Sequence, residues 1–185
     1  MSWVQTYTGR QFWPLDPRPE DVDLRDIAHS LAMQCRFNGH CRRFYSVAEH
    51  SVLVSEALPH DLQAWGLMHD AAEAYIGDHP RPIKTDATKA VEERLLGVIA
   101  ERFGLPWPIP PEVFEADLRM LATEARYLMG PPPASWGLDA EPYGPPLYPT
   151  GLSHTAAEYA FLRRARLLKL EGTKTAAFER IMRDP

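Results

Sequence analysis

Apolar side chains recur at helical spacing along most of this chain, whereas the alternation of a half-buried strand is nearly absent, so the pattern predicts an all-α protein. Leu24, Ile27, Ala28 and Leu31 place a first helix at about Asp23 to Gln34, and Asn38-Gly39 marks a turn after it. Ser46 and Glu49 form the S-x-x-E pattern of a capping box, which starts a second helix running to about Leu58, before Pro59. A third is expected over His60 to Ile76, with Leu62, Trp65, His69, Ala72 and Ile76 on one face and Gly77-Asp78 as its stop. Thr88 to Phe103 reads as a fourth helix, ended by Gly104. Pro111 suits the first turn of the next, which carries Phe114, Asp117, Leu118, Leu121, Ala125 and Leu128 along one stripe as far as Met129.

The proline-rich stretch from Gly130 to Gly151 has no helical period and is read as a surface excursion, a connector rather than a lid. Thr155 and Glu158 suggest a second capping box at the start of a last helix. Trp3 to Pro19 is an irregular lead-in with one short strand near Val4 to Thr8. The expected organisation is one domain over 1–185, a bundle of about six or seven helices, with its core at 24–128, the excursion at 130–151 and the last helix at 153–171.

At 185 residues and 45% apolar composition the chain can close a single core, which points to one site rather than several. A net charge of −5 speaks against a protein built to grip a nucleic acid polymer, so any phosphate would be met by a few local cations. No apolar run approaches the roughly 20 residues of a membrane span, and Met1 to Arg10 is short and polar, so the expectation is a cytoplasmic protein. Cys35 and Cys41 stand six apart, a spacing that suits neither a zinc knuckle nor a C-x-x-C redox motif, and they are read as ordinary reduced thiols. The amphipathic last helix leaves self-association open beside completion of the core.

The chemistry concentrates in the middle of the chain. His69-Asp70 lies within an otherwise apolar helix face, and imidazole and carboxylate both ligate first-row divalent ions, but a core histidine bonded to a carbonyl would look the same. His50 shares the buried face of Val47, Val54 and Leu58, which makes a second inward-facing histidine. Asp117 lies on the stripe of Phe114, Leu118 and Leu121, where an unpaired carboxylate costs several kcal/mol and either a metal or an arginine such as Arg119 or Arg126 would offset it.

The order His50, His69-Asp70, Asp117 resembles the HD-domain superfamily of metal-dependent phosphohydrolases, whose fold is an all-α bundle. The runs RFNG at Arg36 to Gly39, YSVAEHS at Tyr45 to Ser51 and HDAAEAYIGDHPRPIK at His69 to Lys84 are similar to the branch that contains the 5′-deoxynucleotidases, and the likeness covers about residues 24 to 128. The resemblance implies a nucleotide phosphohydrolase with one divalent ion (manganese, cobalt, iron, nickel or zinc) on His50, His69, Asp70 and Asp117. It implies that Glu73 positions or deprotonates the attacking water, with Asp78 sharing that work or bonding the sugar.

On the same basis Arg36 matches a phosphate-binding arginine, and Phe37 an aromatic that packs on the sugar; the family's ring there is usually larger, which loosens the expected deoxyribose selectivity. Arg43 and Lys84 are added as further substrate contacts. The first substrate expected is a deoxynucleoside 5′-monophosphate. The alternatives are a deoxynucleoside triphosphate from which inorganic triphosphate leaves, a nucleotide sensor without turnover, and a structural metal domain.

Overall fold

The computed structural model describes residues 2–170; the expected domain limits at 1 and 185, and the end of the expected last helix at 171, lie outside the described residues. Its only regular strands among these are β1 (Val4–Gln5) and β2 (Gln11–Phe12), antiparallel with Val4 opposite Phe12. Seven helices follow, and the protein is all-α as the sequence predicts: α1 (Leu24–Met33), α2 (Val47–Ala57), α3 (Gln63–Met68), α4 (Glu73–Ile76), α5 (Asp86–Phe103), α6 (Pro111–Leu128) and α7 (His154–Leu167). No helix among the described residues is long and apolar enough to cross a membrane.

Helix α2 is the centre of the bundle and packs against α1, α3, α6 and α7. It is buried nearly all round, which explains why His50, Ser51 and Ser55 are inaccessible along with Val47 and Val54. Each polar group buried there has a partner. Ser55 donates to the Gln63 carbonyl and receives Arg164 of α7, which also bonds the Ser55 carbonyl. Helices α2 and α3 approach so closely at Gly66 that a β-carbon there would stand 2.8 Å from Ser55 Cα and 2.7 Å from Leu58 Cδ1, so only glycine fits.

Several boundaries differ from the sequence reading. The expected single helix over 60–76 is two short ones, because the chain tightens to i→i−3 hydrogen bonds between them, from the amides of Ala71, Glu73 and Tyr75 to the carbonyls of Met68, Asp70 and Ala72. Helix α5 starts earlier than Thr88: Thr85 is its cap, and the Thr85 and Thr88 side chains bond each other's amides reciprocally. Helix α7 is capped by Ser153, which accepts from the Ala156 amide, while Glu158 pairs with His29 and takes no part in a cap. At α2, Ser46 accepts from the Glu49 amide as expected, but the Glu49 carboxylate does not return to the cap. It instead accepts from the amides of Thr150, Gly151 and Leu152 and from the Thr150 hydroxyl, pinning the end of the proline-rich excursion to the bundle.

The stripe expected on α6 is rotated. Val113, Ala116, Met120, Thr123, Glu124 and Leu128 face the core, whereas Phe114 is 55% exposed. Phe114, Asp117 and Leu121 line a cavity instead, so the apolar residues on that side of the helix form the wall of a pocket.

Candidate metal centre

Two helices and one turn converge on a single point. His50 comes from the centre of α2, His69 and Asp70 from the break after α3, and Asp117 from the pocket side of α6. His50, His69 and Asp117 each bring one donor atom within 4.8 Å of the others, so this group can hold a metal ion. The individual separations are narrower. His50 Nε2 lies 3.2 Å from His69 Nε2, 3.2 Å from Asp117 Oδ1 and 3.5 Å from Asp70 Oδ2. His69 Nε2 lies 3.4 Å from Asp70 Oδ2 and 3.9 Å from Asp117 Oδ1. Ligand bonds of about 2.1 Å from a tetrahedral or octahedral ion place neighbouring donors about 3.0 to 3.4 Å apart, close to what these side chains present.

The tautomers follow from the outer contacts. His69 Nδ1 is 2.9 Å from the Gly66 carbonyl, an acceptor only, so the Nδ1–H donates and Nε2 is left with a lone pair. His50 Nδ1 lies 2.6 Å from Glu124 Oε1, and the same reasoning leaves its Nε2 bare in the neutral ring. Two lone pairs then face each other across 3.2 Å, an arrangement that needs a cation between them. Either a proton or a metal ion answers that need.

Glu124 is the functional residue that sequence reasoning missed. Its side chain is fully buried and accepts from His50 Nδ1, from the Tyr45 hydroxyl at 2.8 Å, and from Arg36 Nε at 3.1 Å, with Arg36 Nη2 3.0 Å away. Burial acts against the ionised carboxyl, but Arg36 and His50 outweigh it and hold Glu124 below the usual carboxylate range. The available signal was its place two helical turns after Asp117, a second acid on nearly the same side of α6. Asp117 is likewise lowered: burial opposes ionisation, and its contact with His50 more than reverses the effect. Its arginine partner is Arg81, 3.3 Å away and mostly exposed, and not Arg119, which bonds the Glu141 carbonyl.

The opposite shift occurs at Glu73. Buried, and facing the charges of Asp70 and Asp78, its carboxyl is pushed well above the usual range. Glu73 Oε1 is 3.7 Å from Lys84 Nζ, and Glu73 Oε2 has no hydrogen-bond partner among the described residues. Burial raises Asp78 as well, against the pull of Arg36. An orphaned buried oxygen and a surplus of carboxylates beside two imidazoles are the signature of a site that accommodates a cation and water.

One residue can be followed through pH. Burial and Arg36 both disfavour the His50 imidazolium, yet Glu124 and Asp117 more than compensate and carry its pKa up to about 9 from the ordinary 6.5. A raised histidine contributes stability in full below its unfolded value and loses it as pH climbs through the folded one. The metal-free protein is therefore expected to lose on the order of 3 kcal/mol between about pH 6.5 and pH 9. Thermal midpoints taken across that range after chelation check this, and a flat profile would contradict it.

No protein-family model matches the chain. It is 45% identical over 130 residues to the uncharacterized protein YfdR of Escherichia coli strain K12, covering 69% of this chain and 73% of that protein. The chain belongs to the YfdR family. A second relative, the uncharacterized protein RCAP_rcc00048 of Rhodobacter capsulatus, is 39% identical over 127 residues, covering 62% of this chain and 65% of that one, just under two thirds of its length.

In this member of the YfdR family a cavity of about 620 Å³ opens directly onto His69, Asp70, Glu73 and Asp117. Arg36, Phe37, Asp78 and Lys84 all line it, so eight of the ten sequence-predicted site residues share one cavity, three of the four expected ligands among them, and His50 lies behind as the buried anchor. Arg43 does not. Its guanidinium donates to the Pro149 carbonyl at 2.9 Å, where it props the end of the excursion, so its place among the substrate contacts is corrected to a structural one. Lys84 is held by both oxygens of Glu92 at 3.0 Å. The excursion, read from sequence as a connector, also supplies Trp136 and Leu138 to the cavity wall, with the Trp136 ring 6.1 Å from that of Phe37.

Proposed function

We propose that the chain is a metal-dependent phosphohydrolase of the HD type that acts on nucleotides, with His50, His69, Asp70 and Asp117 as the ligands of one divalent ion. The observation that carries the reading is the pair of imidazole Nε2 atoms 3.2 Å apart, each with its Nδ1 engaged elsewhere, beside two carboxylates on the floor of a ligand-sized cavity. The chemistry a bound divalent ion supplies at such a site is acidification of a water molecule and polarisation of a phosphoryl oxygen.

The residues of the chain divide the remaining work. Arg36 spends Nε and Nη2 on Glu124, which leaves Nη1, 3.5 Å from Asp70, to meet a phosphoryl oxygen next to the ligand set. Lys84 and Arg81 also line the cavity, where they would take further phosphate oxygens. Phe37, Phe114, Trp136 and Leu138 give an apolar wall for a sugar and base. Glu73, with its carboxyl raised and one oxygen unpartnered, would hold the attacking water and take up its proton; Asp78 would share that role.

A deoxynucleoside 5′-monophosphate is the first substrate choice, because Arg36 and Phe37 adjoin in one turn and present phosphate and sugar contacts together. The test is to strip the protein of metal, restore manganese or cobalt, and identify the products from deoxyribo- and ribonucleoside mono- and triphosphates. Orthophosphate from deoxynucleoside monophosphates is the expected result. Inorganic triphosphate would move the reading to a triphosphohydrolase, and binding without turnover for every metal would replace the enzyme by a nucleotide sensor.

A further inference from the structure

The turn that carries Arg36 and Phe37 into the cavity begins and ends in cysteine. Cys35 and Cys41 bring their sulfur atoms to 3.5 Å, and both thiols are half-buried at the surface. They are the only cysteines of the sequence, so no third thiol competes for either. The neck of the loop is fixed: Cys35 forms a backbone bridge with Ser46, and the Arg36 amide donates to the Tyr45 carbonyl at 2.9 Å. Between the two sulfurs the chain turns through Phe37, Asn38 and Gly39 at φ of 58°, 51° and 76°, three consecutive residues in the left-handed region. A phenylalanine in that region is unusual and must be held by its surroundings. Two short bonds, from the Gly39 amide to Arg36 and from the His40 amide to Phe37, do part of the holding.

We propose that Cys35 and Cys41 are a redox modification site, and form an intramolecular disulfide by exchange with a small-molecule disulfide such as oxidised glutathione. In the first step the thiolate of one cysteine attacks a sulfur of the donor, and the first glutathione thiolate leaves. In the second, the other cysteine thiolate attacks the protein sulfur of the mixed disulfide and expels the second glutathione thiolate. The protein loses two S–H bonds and gains one S–S bond, its two protons and two electrons ending on two glutathione thiols. The sulfurs must close by about 1.5 Å to reach the bonded separation, a movement that the exposed Asn38, Gly39 and His40 can absorb. Because Arg36 and Phe37 lie inside the ring so closed, oxidation fixes the conformation of that wall of the cavity covalently.

The experiment uses the full chain incubated in excess oxidised glutathione, followed by thiol labelling, intact mass and peptide mapping. A monomer lighter by two hydrogens is expected, with peptides joined through Cys35 and Cys41, no free thiol, and reversal by dithiothreitol. Its thermal midpoint should exceed that of the reduced protein by about 5 °C, and Cys35→Ser should show no such rise. Stable glutathione adducts, linked dimers or two thiols that stay labelled would each overturn the proposal, as would a disulfide that lowers the midpoint. None of these readouts depends on a metal ion or on turnover, so the outcome is independent of the proposed hydrolase activity.

Discussion

Glu124→Ala is expected to lower the stability of the metal-free protein by about 3 to 5 kcal/mol, the range seen when one partner of a buried charge pair is deleted. The loss is large because the carboxylate is wholly enclosed and serves three donors at once: Arg36, the Tyr45 hydroxyl and the His50 ring. Removing it leaves the Arg36 guanidinium, a cation that stays charged at any accessible pH and is only 11% exposed, with the longer 3.5 Å contact to Asp70 as its remaining ion pair. It also frees His50 Nδ1, so the ring can rotate or change tautomer, and metal affinity is expected to fall about 10- to 100-fold. A change of that size would shift the thermal midpoint by about 6 to 20 °C for a chain of this length. Glu124→Gln separates the two effects, since it keeps an acceptor for the Tyr45 hydroxyl and loses the charge. A midpoint for Glu124→Ala within a degree or two of the wild type would mean that this network holds nothing together.

His69→Ala is expected to reduce turnover by about a thousandfold or more, because each 1.36 kcal/mol of lost transition-state stabilisation is a factor of ten and a divalent ion contributes several. The structural cost should be smaller. His69 Nδ1 bonds a single carbonyl, that of Gly66, and its ring opens on the cavity rather than on the packed core. A variant that keeps its helical circular dichroism and melts cooperatively, yet neither turns over nor responds to added manganese, is the predicted outcome. Retention of more than a tenth of the wild-type rate would remove His69 from the ligand set.

Much of this was legible in the chain because local signals and the tertiary structure agree. Ser46 caps α2, Gly104 takes the left-handed conformation that ends α5, and Pro111 opens α6, each for reasons contained in a few neighbouring residues. His50 was legible as a ligand candidate because a histidine on a buried stripe is unusual enough to require a partner. The rest depended on facts that sequence spacing does not carry. The tightening between α3 and α4 leaves the apolar pattern unchanged, so His60 to Ile76 reads as one helix although His69 and Asp70 sit in a break. On α6 the apolar residues belong to two environments, a core and a cavity wall, and a pattern of apolar and polar letters cannot separate Phe114 from Val113. Glu124 goes unmarked in the sequence because the three donors that justify its burial come from positions 36, 45 and 50. Glu49 and Glu158 fitted a local capping pattern, and their real partners, the 150–152 amides and His29, are about a hundred residues away or more.

The proposed function requires that His50, His69, Asp70 and Asp117 bind one divalent ion. The most direct measurement is a titration of the metal-stripped protein with cobalt(II), followed by visible absorption and by calorimetry in buffers of different protonation enthalpy. Saturation at one ion per chain is predicted, with release of the proton that His50 otherwise holds at neutral pH, a raised thermal midpoint, and no response in His69→Ala. Absence of saturable binding at millimolar cobalt, manganese or zinc, or binding that persists unchanged in His69→Ala, would contradict it.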